Sequence, residues 1–215
     1  MNQRDLFVIV ADLDAENAIR TLLVDRQHAL EVRLDFNPHV DLLRYVGRDS
    51  GCYKKAVDLL RPPQRTHRHA MLIFDRHGCG AESKDRVTLE HELESKLHAN
   101  GWATDAVSVI VIEPELEAWV WSASPRVADV LGWEDNREGL RPFLEDANLW
   151  DAGTPKPTDP QKAMQAALRA KQKPLGARLF ADLASRVGVH QCQDAAFRKF
   201  SETLQRWFVD KGEAE

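Results

Sequence analysis

Three short apolar runs constrain the fold of this chain more than any other feature of its sequence. Residues 6–11 (LFVIVA), 70–74 (AMLIF) and 107–112 (VSVIVI) are rich in β-branched side chains and almost free of polar ones. Strands of this kind are buried on both faces, as in a parallel sheet. Segments with helical periodicity lie between them, at 15–23, 53–60 and 83–99. The alternation predicts βαβ units, and therefore an α/β fold with a mainly parallel sheet flanked by helices.

A further strand is predicted over residues 30–36, where Leu30, Val32, Leu34 and Phe36 alternate with polar residues. We place it nearer the edge of the sheet, because only one of its faces is apolar. Asp14 is predicted to cap the N-terminus of the first helix. A short apolar helix is expected over 116–121.

The pattern changes after residue 122, beyond which no convincing strand follows. Helices are predicted at about 160–172, 175–187 and 194–210, with Thr158 or Asp159 as the cap of the first and Pro160 at its first position. The chain is therefore divided into an α/β domain at 1–122 and an α-helical C-terminal subdomain at 123–215.

Composition restricts the class of protein. The formal net charge of the 215 residues is −5, so there is no global basic footprint for nucleic acid. Three cysteines and a polar N-terminal segment without the features of a secretory signal indicate a reducing compartment. No apolar run approaches the roughly 20 residues of a membrane span. We expect a cytoplasmic protein with no membrane partner.

Acidic residues follow the ends of the apolar strands. Asp12 and Glu16 come after the first run, Asp75 after the second, and Glu113 after the third, with Glu117 just beyond. The C-terminal ends of parallel strands meet at one edge of a sheet, where ligands bind. Carboxylates there suit Mg²⁺ or Mn²⁺, which take oxygen ligands. Each of these residues alone is equally consistent with a cap that complements a helix dipole.

The order of these residues resembles a known family. Asp12-x-x-x-Glu16 after the first strand, followed by Asp75-x-His77 after a later one, is similar to the Toprim fold of topoisomerases, primases and overcoming-lysogenization-defect nucleases. In that fold an acidic residue at the first strand end and a later Asp-x-Asp pair together bind Mg²⁺.

A second segment extends the resemblance. Residues 113–119 (EPELEAW) look like Toprim-related proteins encoded beside bacterial restriction and phage-defence genes, among which a component of the methylation-associated defence system is the nearest. The resemblance covers about residues 6–121, and beyond 122 it rests on a helical tail alone.

The acidic residues of this chain match the Toprim pattern at some positions and depart from it at others. Asp12 stands where the first Toprim acid lies, with Asp in place of the usual Glu, and Leu13 replaces the Gly that commonly follows. Glu16 matches a second acidic position of the nuclease branch, and Asp75 matches the first Asp of the Asp-x-Asp pair. His77 stands where the second Asp is expected, which is the main departure from the pattern.

His77 leaves three readings open. Histidine is a softer ligand and a better proton carrier than aspartate. It suits Mn²⁺ or Zn²⁺, or serves as a general base, or marks the loss of Mg²⁺ catalysis. Glu113 or Glu117 restores the missing carboxylate if the fourth strand lies beside the third.

The resemblance implies a Mg²⁺ or Mn²⁺ cofactor and two overlapping sets of residues. The metal ligands are Asp12, Glu16, Asp75 and Glu113. The catalytic residues are Glu16, Asp75, His77 and Glu117.

A basic segment offers a surface for nucleic acid. Residues 156–178 contain six basic side chains and a single acidic one. Such a surface opposite an acidic metal site suits a phosphate backbone, whereas the alternative is a solvated helix face. The residues assigned to nucleic-acid contact are Lys156, Lys162, Lys171 and Lys173.

The turn Gly78-Cys79-Gly80, after a strand and before a helix, has two readings. It is a tight turn, or it is a cradle for phosphate. The turn is favoured, because the segment lacks the full dinucleotide fingerprint and the lysine of a P-loop.

The function expected from the resemblance is that of a component of a bacterial anti-phage defence system with metal-dependent nuclease or phosphoryl-transfer activity. The alternatives are a catalytically silent binding or regulatory subunit of a defence complex, and a small-molecule phosphoesterase or nucleotide-binding enzyme on a generic doubly wound sheet. The expected partners are other proteins of the defence system, with DNA or RNA as candidate ligands and a homodimer as a candidate assembly.

Overall fold

A four-stranded parallel sheet forms the centre of the protein. The structure, a computed structural model, describes residues 3–122 and 124–209. The strand order is β2-β1-β3-β4, and every neighbouring pair is parallel. Their bounds are β1 Arg4–Val10, β2 Leu42–Arg44, β3 His67–Asp75 and β4 Val107–Ile112. The predicted α/β class with a parallel sheet is confirmed, and β4 lies beside β3.

Helices cover both faces of the sheet and make up the C-terminal part of the chain. Those within the α/β region are α1 Leu13–Asp25, α2 Arg48–Leu60, α3 Arg86–Ala99 and α4 Glu117–Val120. Those that follow are α5 Pro125–Val130, α6 Leu140–Asp146, α7 Pro160–Ala170, α8 Ala177–Arg186 and α9 Ala195–Phe208. Within the described residues, no helix has the length and apolar character that crossing a membrane requires.

Alternate residues of the strands feed two cores on opposite faces of the sheet. Ile9, Leu72 and Val111 point towards α2 and α3. Val8 and Ile73 point to the other face, where α1 and the C-terminal helices pack. This two-sided burial is the reason that the strands read as continuous apolar runs.

The helical C-terminal part shares its core with the α/β part. Helix α8 packs along α1, and α9 packs against β4. Trp119, just after the sheet, makes an edge-to-face contact with Phe197 of α9, with ring centroids 5.1 Å apart. The described part of 123–215 therefore completes the core on one face of the sheet.

The strand predicted over 30–36 is wrong. Leu30, Val32 and Leu34 are buried, as their alternation indicates. Their backbone is bonded elsewhere, however, because the side chain of Gln27 donates to Leu34 O and accepts from Leu34 N at 2.9 Å. Apart from an isolated bridge between Val32 and Val209, the segment pairs with no strand among the residues that the structure describes, and the short β2 takes its place in the sheet.

The cap of α1 is also misplaced in the sequence interpretation. Asp12, rather than Asp14, is the N-cap, and its Oδ1 accepts a hydrogen bond from Ala15 N at 2.8 Å. The cap of α7 is correct, since Asp159 accepts from Lys162 N at 3.0 Å and Pro160 follows it.

The outer edge of β4 is closed by side chains instead of by another strand. Val109 N donates to Glu94 Oε1 at 2.9 Å, and Val111 N donates to Glu90 Oε1 at 3.0 Å. Lys199 of α9 donates to Val109 O at 2.9 Å and lies 3.2 Å from the buried Glu90 carboxylate. These contacts satisfy backbone N–H and C=O groups on the outer edge of β4, which could otherwise pair with a strand of another molecule.

Candidate functional site

Asp75 lies at the C-terminal end of β3, in the middle of the sheet edge. Burial raises the pKa of its carboxyl well above the ordinary value, and the negative charges of Asp49, Asp12 and Glu117 raise it further. A hydrogen bond from the Leu116 backbone opposes these effects. Asp75 therefore sits among carboxylates that disfavour its ionised form.

Asp49, in the first turn of α2, is a site residue that the sequence interpretation missed. Its Oδ1 accepts a hydrogen bond from Asp75 N at 2.9 Å. Burial raises the pKa of Asp49, the charge of Asp12 adds to this, and hydrogen bonds from backbone N–H groups oppose it. The residue was missed because α2 was predicted to begin near residue 53, whereas it begins at Arg48.

Glu117, at the start of α4, is buried with 7% of its surface exposed. Burial raises the pKa of its carboxyl to about 7, with further contributions from Glu115 and Asp14. Hydrogen bonds from its own backbone and from Gln161 act in the opposite direction. Glu117 therefore titrates close to neutral pH.

Asp12, Asp49, Asp75 and Glu117 are called the acidic cluster below. Two of its members follow adjacent central strands, β1 and β3, one begins α2, and one follows β4. Asp12 combines two roles that were treated as alternatives, since it caps α1 and also contributes charge to the cluster. Among residues 3–122 and 124–209, no ion pair joins a member of the cluster to a lysine, arginine or histidine.

Glu16 and Glu113, two of the predicted metal ligands, are instead neutralised by arginines. Glu16 Oε1 lies 2.8 Å from Arg20 and its Oε2 lies 3.3 Å from Arg44. Glu113 Oε1 lies 3.1 Å from Arg76. An arginine therefore already balances the charge of each carboxylate, which weakens its attraction for a cation.

His77 is exposed, with 73% of its side chain accessible, and its Nδ1 lies 3.6 Å from Glu115 Oε2. Its backbone N–H donates to Pro114 O at 3.0 Å, which fixes the chain after β3 against the chain after β4. The imidazole thus sits at the rim of the sheet edge beside Glu115, a half-buried carboxylate whose pKa burial raises.

No group of three His, Cys, Asp or Glu side chains in the described residues stands close enough together to hold a metal ion. The donors of the acidic cluster are all carboxylate oxygens. This chemistry fits a hard cation such as Mg²⁺ or Mn²⁺ and not a thiolate-bound Zn²⁺. Mg²⁺ in particular is usually held by one or two carboxylates and keeps several waters.

A cavity of about 410 Å³ opens beside the cluster, between the loops that follow β1 and β2. Asp12 and Asp14 line one part of it, and Arg44 and Arg48 line another. Arg48 is exposed, has a backbone φ of 52°, and makes no ion pair among the described residues. The cavity therefore presents both signs of charge to a ligand.

The four lysines assigned to nucleic-acid contact are engaged within this chain. Lys156 donates to Ala118 O at 2.7 Å and to Asp194 at 3.0 Å, and Lys173 donates to Val130 O at 2.8 Å. Lys162 pairs with Asp159 at 2.7 Å, and the Lys171 ammonium lies 4.5 Å from the centre of the Trp133 ring. These contacts occupy the four side chains within the chain, and only Lys162 lies on a helix, α7.

Comparison of the chain with models of protein families, with curated proteins and with solved structures gives no match. The class of protein is defined by the fold itself, a four-stranded parallel α/β sheet with helices on both faces and a helical C-terminal part.

Proposed function

We propose that this protein is a Toprim-related component of a bacterial anti-phage defence system, and that its acidic cluster binds Mg²⁺ or Mn²⁺ to hydrolyse phosphodiester bonds in DNA or RNA. One observation carries the proposal. Asp75 lies where three other carboxylates act on it, and none of the four is ion-paired to a basic side chain in the described residues. The defence role rests on the sequence resemblance, and the proposed cytoplasmic location rests on the cysteine content and the N-terminal segment.

The electrostatics of the cluster favour a bound cation. Ionised carboxylates that are partly buried near one another repel, and protonation of some of them relieves part of this repulsion. A divalent cation relieves the same repulsion without protonation, so the cluster gains more from a cation than a set of paired surface acids does. A cation would stabilise Glu16 and Glu113 less, because arginines already neutralise their charge.

The residues have separate roles in the proposed reaction. Asp75, with Asp49 or Asp12, would hold the divalent cation, which would supply Lewis-acid stabilisation of charge on the phosphoryl group. Glu117, with a pKa of about 7, is partly deprotonated at neutral pH and can accept a proton from the attacking water. The water oxygen bonds to phosphorus while the bond to the leaving oxygen breaks. The proton held by Glu117 then passes to that oxygen.

A second candidate function is a catalytically silent binding or regulatory subunit of a defence complex. It is favoured by the position of His77, which is exposed and pairs with Glu115 at the rim. It is also consistent with the lack of a preformed three-ligand group among the described residues. In this case the cavity beside the cluster binds a ligand without hydrolysing it.

Nuclease assays separate the two functions. Wild-type protein is incubated with plasmid, single-stranded DNA and RNA in Mg²⁺ or Mn²⁺, alongside Asp75→Asn, Glu117→Gln and, as a matched control, Glu113→Gln. The proposal expects metal-dependent cleavage that Asp75→Asn abolishes, that Glu117→Gln reduces by about 10²-fold or more, and that Glu113→Gln retains. Cleavage that survives Asp75→Asn contradicts it, and binding without cleavage in any metal supports the silent subunit. Phage plating on cells that express the gene with its neighbours tests the defence role.

A further inference from the structure

The turn after β3 holds an anion that belongs to the chain itself. Gly78 N and Gly80 N both donate to Glu82 Oε1, at 2.9 Å and 3.1 Å. The two glycines have φ values of 88° and 80°, a conformation that side chains disfavour. Backbone N–H groups of one turn that point towards the same spot form a concavity, or nest, that binds anions, and here the N–H groups are those on either side of Cys79. The turn is therefore also a cradle, and a carboxylate fills it.

Two polar side chains of α2 lie next to Gly80 of this nest. A Cβ atom placed on Gly80 would lie 3.6 Å from Ser50 Oγ and 4.0 Å from Lys54 Nζ, both of which belong to α2. Lys54 is exposed and has no ion pair in the part of the chain that the structure describes. The nest thus has a hydroxyl and an uncommitted ammonium group within reach, in addition to its two N–H donors.

The hydrogen bonds between Glu82 and the nest are local and exposed, so they can break without unfolding the turn. The side chain is exposed, and it reaches a turn only two to four residues away. Hydrogen bonds from the backbone N–H groups of Glu82, Gly80 and Gly78, together with the charge of His77, hold the pKa of the Glu82 carboxyl below its usual value. The nest therefore stabilises negative charge, and releasing Glu82 disturbs no buried group.

We propose that Gly78, Gly80, Ser50 and Lys54 form a phosphate-binding site, and that Glu82 occupies it as an internal competitor until a phosphate displaces it. The tetrahedral anion brings more acceptor oxygens than the single carboxylate oxygen in the nest. These can reach Ser50 and Lys54, which Glu82 leaves free.

The nest adjoins the acidic cluster, since a Cβ atom on Gly78 would lie 3.7 Å from Asp49 Oδ2. A phosphate bound there stands beside the edge at which we place the cation. Only the identification of this phosphate with a nucleic-acid substrate rests on the proposed function. The same chemistry is supplied by free phosphate, and binding to the nest is testable without metal.

Internal competition has a predictable size. A site that is open for a fraction of the time binds with an affinity reduced by that fraction, so an occupancy of about 90–99% by Glu82 weakens phosphate binding by roughly ten- to a hundredfold. Removing the Glu82 carboxylate should therefore raise the affinity for phosphate by the same factor. Removing Lys54 should lower affinity, because a direct charge contact is lost.

The experiment is an NMR titration of the whole chain in the presence of a chelator, with the amide resonances of Gly78 and Gly80 as the readout. Inorganic phosphate is one titrant, and a short single-stranded DNA is the other. Glu82→Ala is compared with Asp58→Ala, which removes an exposed acid of α2 at the same net charge. Lys54→Met is compared with Lys55→Met in the same way.

The inference expects both glycine amides to shift, Glu82→Ala to bind phosphate about tenfold more tightly or better, and Lys54→Met to bind more weakly, while the two controls resemble wild type. A response to DNA alone assigns the site to nucleic acid, and a response to both assigns it to phosphate in general. Equal affinities for Glu82→Ala and Asp58→Ala, or unmoved glycine amides, overturn it. Asp75→Asn keeps phosphate binding, so loss of cleavage in that variant bears on the proposed function alone.

Discussion

The carboxylate of Asp49 accepts a hydrogen bond from the backbone N–H of Asp75 at 2.9 Å, which ties the first turn of α2 to the end of β3. The bond places one acidic side chain directly beside another. The charge of Asp49 is accordingly the largest cause, after burial, of the raised pKa of Asp75. The two residues form the electrostatic centre of the acidic cluster.

This relationship predicts different outcomes for two substitutions of Asp49. Asp49→Asn keeps an acceptor for Asp75 N and removes the charge, so the pKa of Asp75 falls with little loss of stability. Asp49→Ala lowers the same pKa but leaves the Asp75 N–H without an acceptor, which should reduce the free energy of unfolding by about 1–3 kcal/mol. Carboxyl-carbon NMR over a pH series and urea unfolding measure the two effects. An unchanged pKa of Asp75 in both variants contradicts the arrangement.

Stability of the metal-free protein should fall as pH rises, because Glu117 is harder to ionise in the folded state. Its pKa of about 7 lies above the ordinary 4.5, so the folded chain binds more protons than the unfolded chain between these values. The contribution is complete below about pH 4.5 and is lost as pH rises to about 7, by up to roughly 3 kcal/mol.

Glu117→Gln tests this linkage. The variant should lose part of the decline in unfolding free energy over that pH window, and its curve should diverge from that of wild type by the contribution of Glu117. Glu113→Gln, at an exposed and ion-paired site, is the control and should follow the wild-type curve. Parallel curves for Glu117→Gln and wild type count against a raised pKa at this residue.

The closed edge of β4 predicts a strong effect at Glu90. This buried carboxylate accepts from Arg86 and from Val111 N, and it lies 3.2 Å from Lys199. Glu90→Ala should destabilise the protein by about 3–5 kcal/mol, because Arg86 and Val111 N lose their acceptor together, while Lys199 keeps only Glu94 as an ionic partner. Glu92→Ala, in a more exposed pair with Lys84, should destabilise the protein far less than Glu90→Ala.

Exposure of the β4 edge has a second consequence. Unpaired strand edges recruit other strands, so Glu90→Ala should form larger species in sedimentation velocity experiments, whereas Glu92→Ala should not. A Glu90→Ala variant as stable as Glu92→Ala and unchanged in sedimentation indicates that the side chains do not protect this edge.

Lys156 is predicted to act in folding more than in ligand binding. Its ammonium group bonds to Ala118 O and to Asp194, the residue that caps α9. Lys156→Met should lower the unfolding free energy by about 1–3 kcal/mol, whereas Lys162→Met, at an exposed pair, should change it far less. Thermal unfolding measures both, and the reverse order contradicts the assignment.

The sheet was predictable because its strands are buried on both faces and therefore carry an unbroken apolar signal. The strand predicted over residues 30–36 was wrong because burial there does not come from strand pairing. Leu30, Val32 and Leu34 alternate because they insert into the core, and alternation does not reveal that Gln27 takes the hydrogen bonds of Leu34. Short β2, with exposed Leu43, gives almost no such signal.

The acidic edge was predictable only in part. Asp12, Asp75 and Glu117 follow strands that sequence locates well, and the structure brings them together. Asp49 comes from the start of a helix whose first turn carries few apolar residues, so its boundary was placed too late. The pairing of Glu16 and Glu113 with arginines depends on side-chain contacts that spacing alone does not encode.

Isothermal titration of Mn²⁺ into the metal-free protein tests the central claim most directly. Wild type and Glu113→Gln should bind the ion with similar affinity and release protons near pH 7, since Glu117 and Asp75 lose protons when a cation enters. Asp75→Asn should show no binding at the same concentrations. Binding that is equal in wild type and Asp75→Asn, or absent from all three proteins, contradicts a metal centre at the acidic cluster.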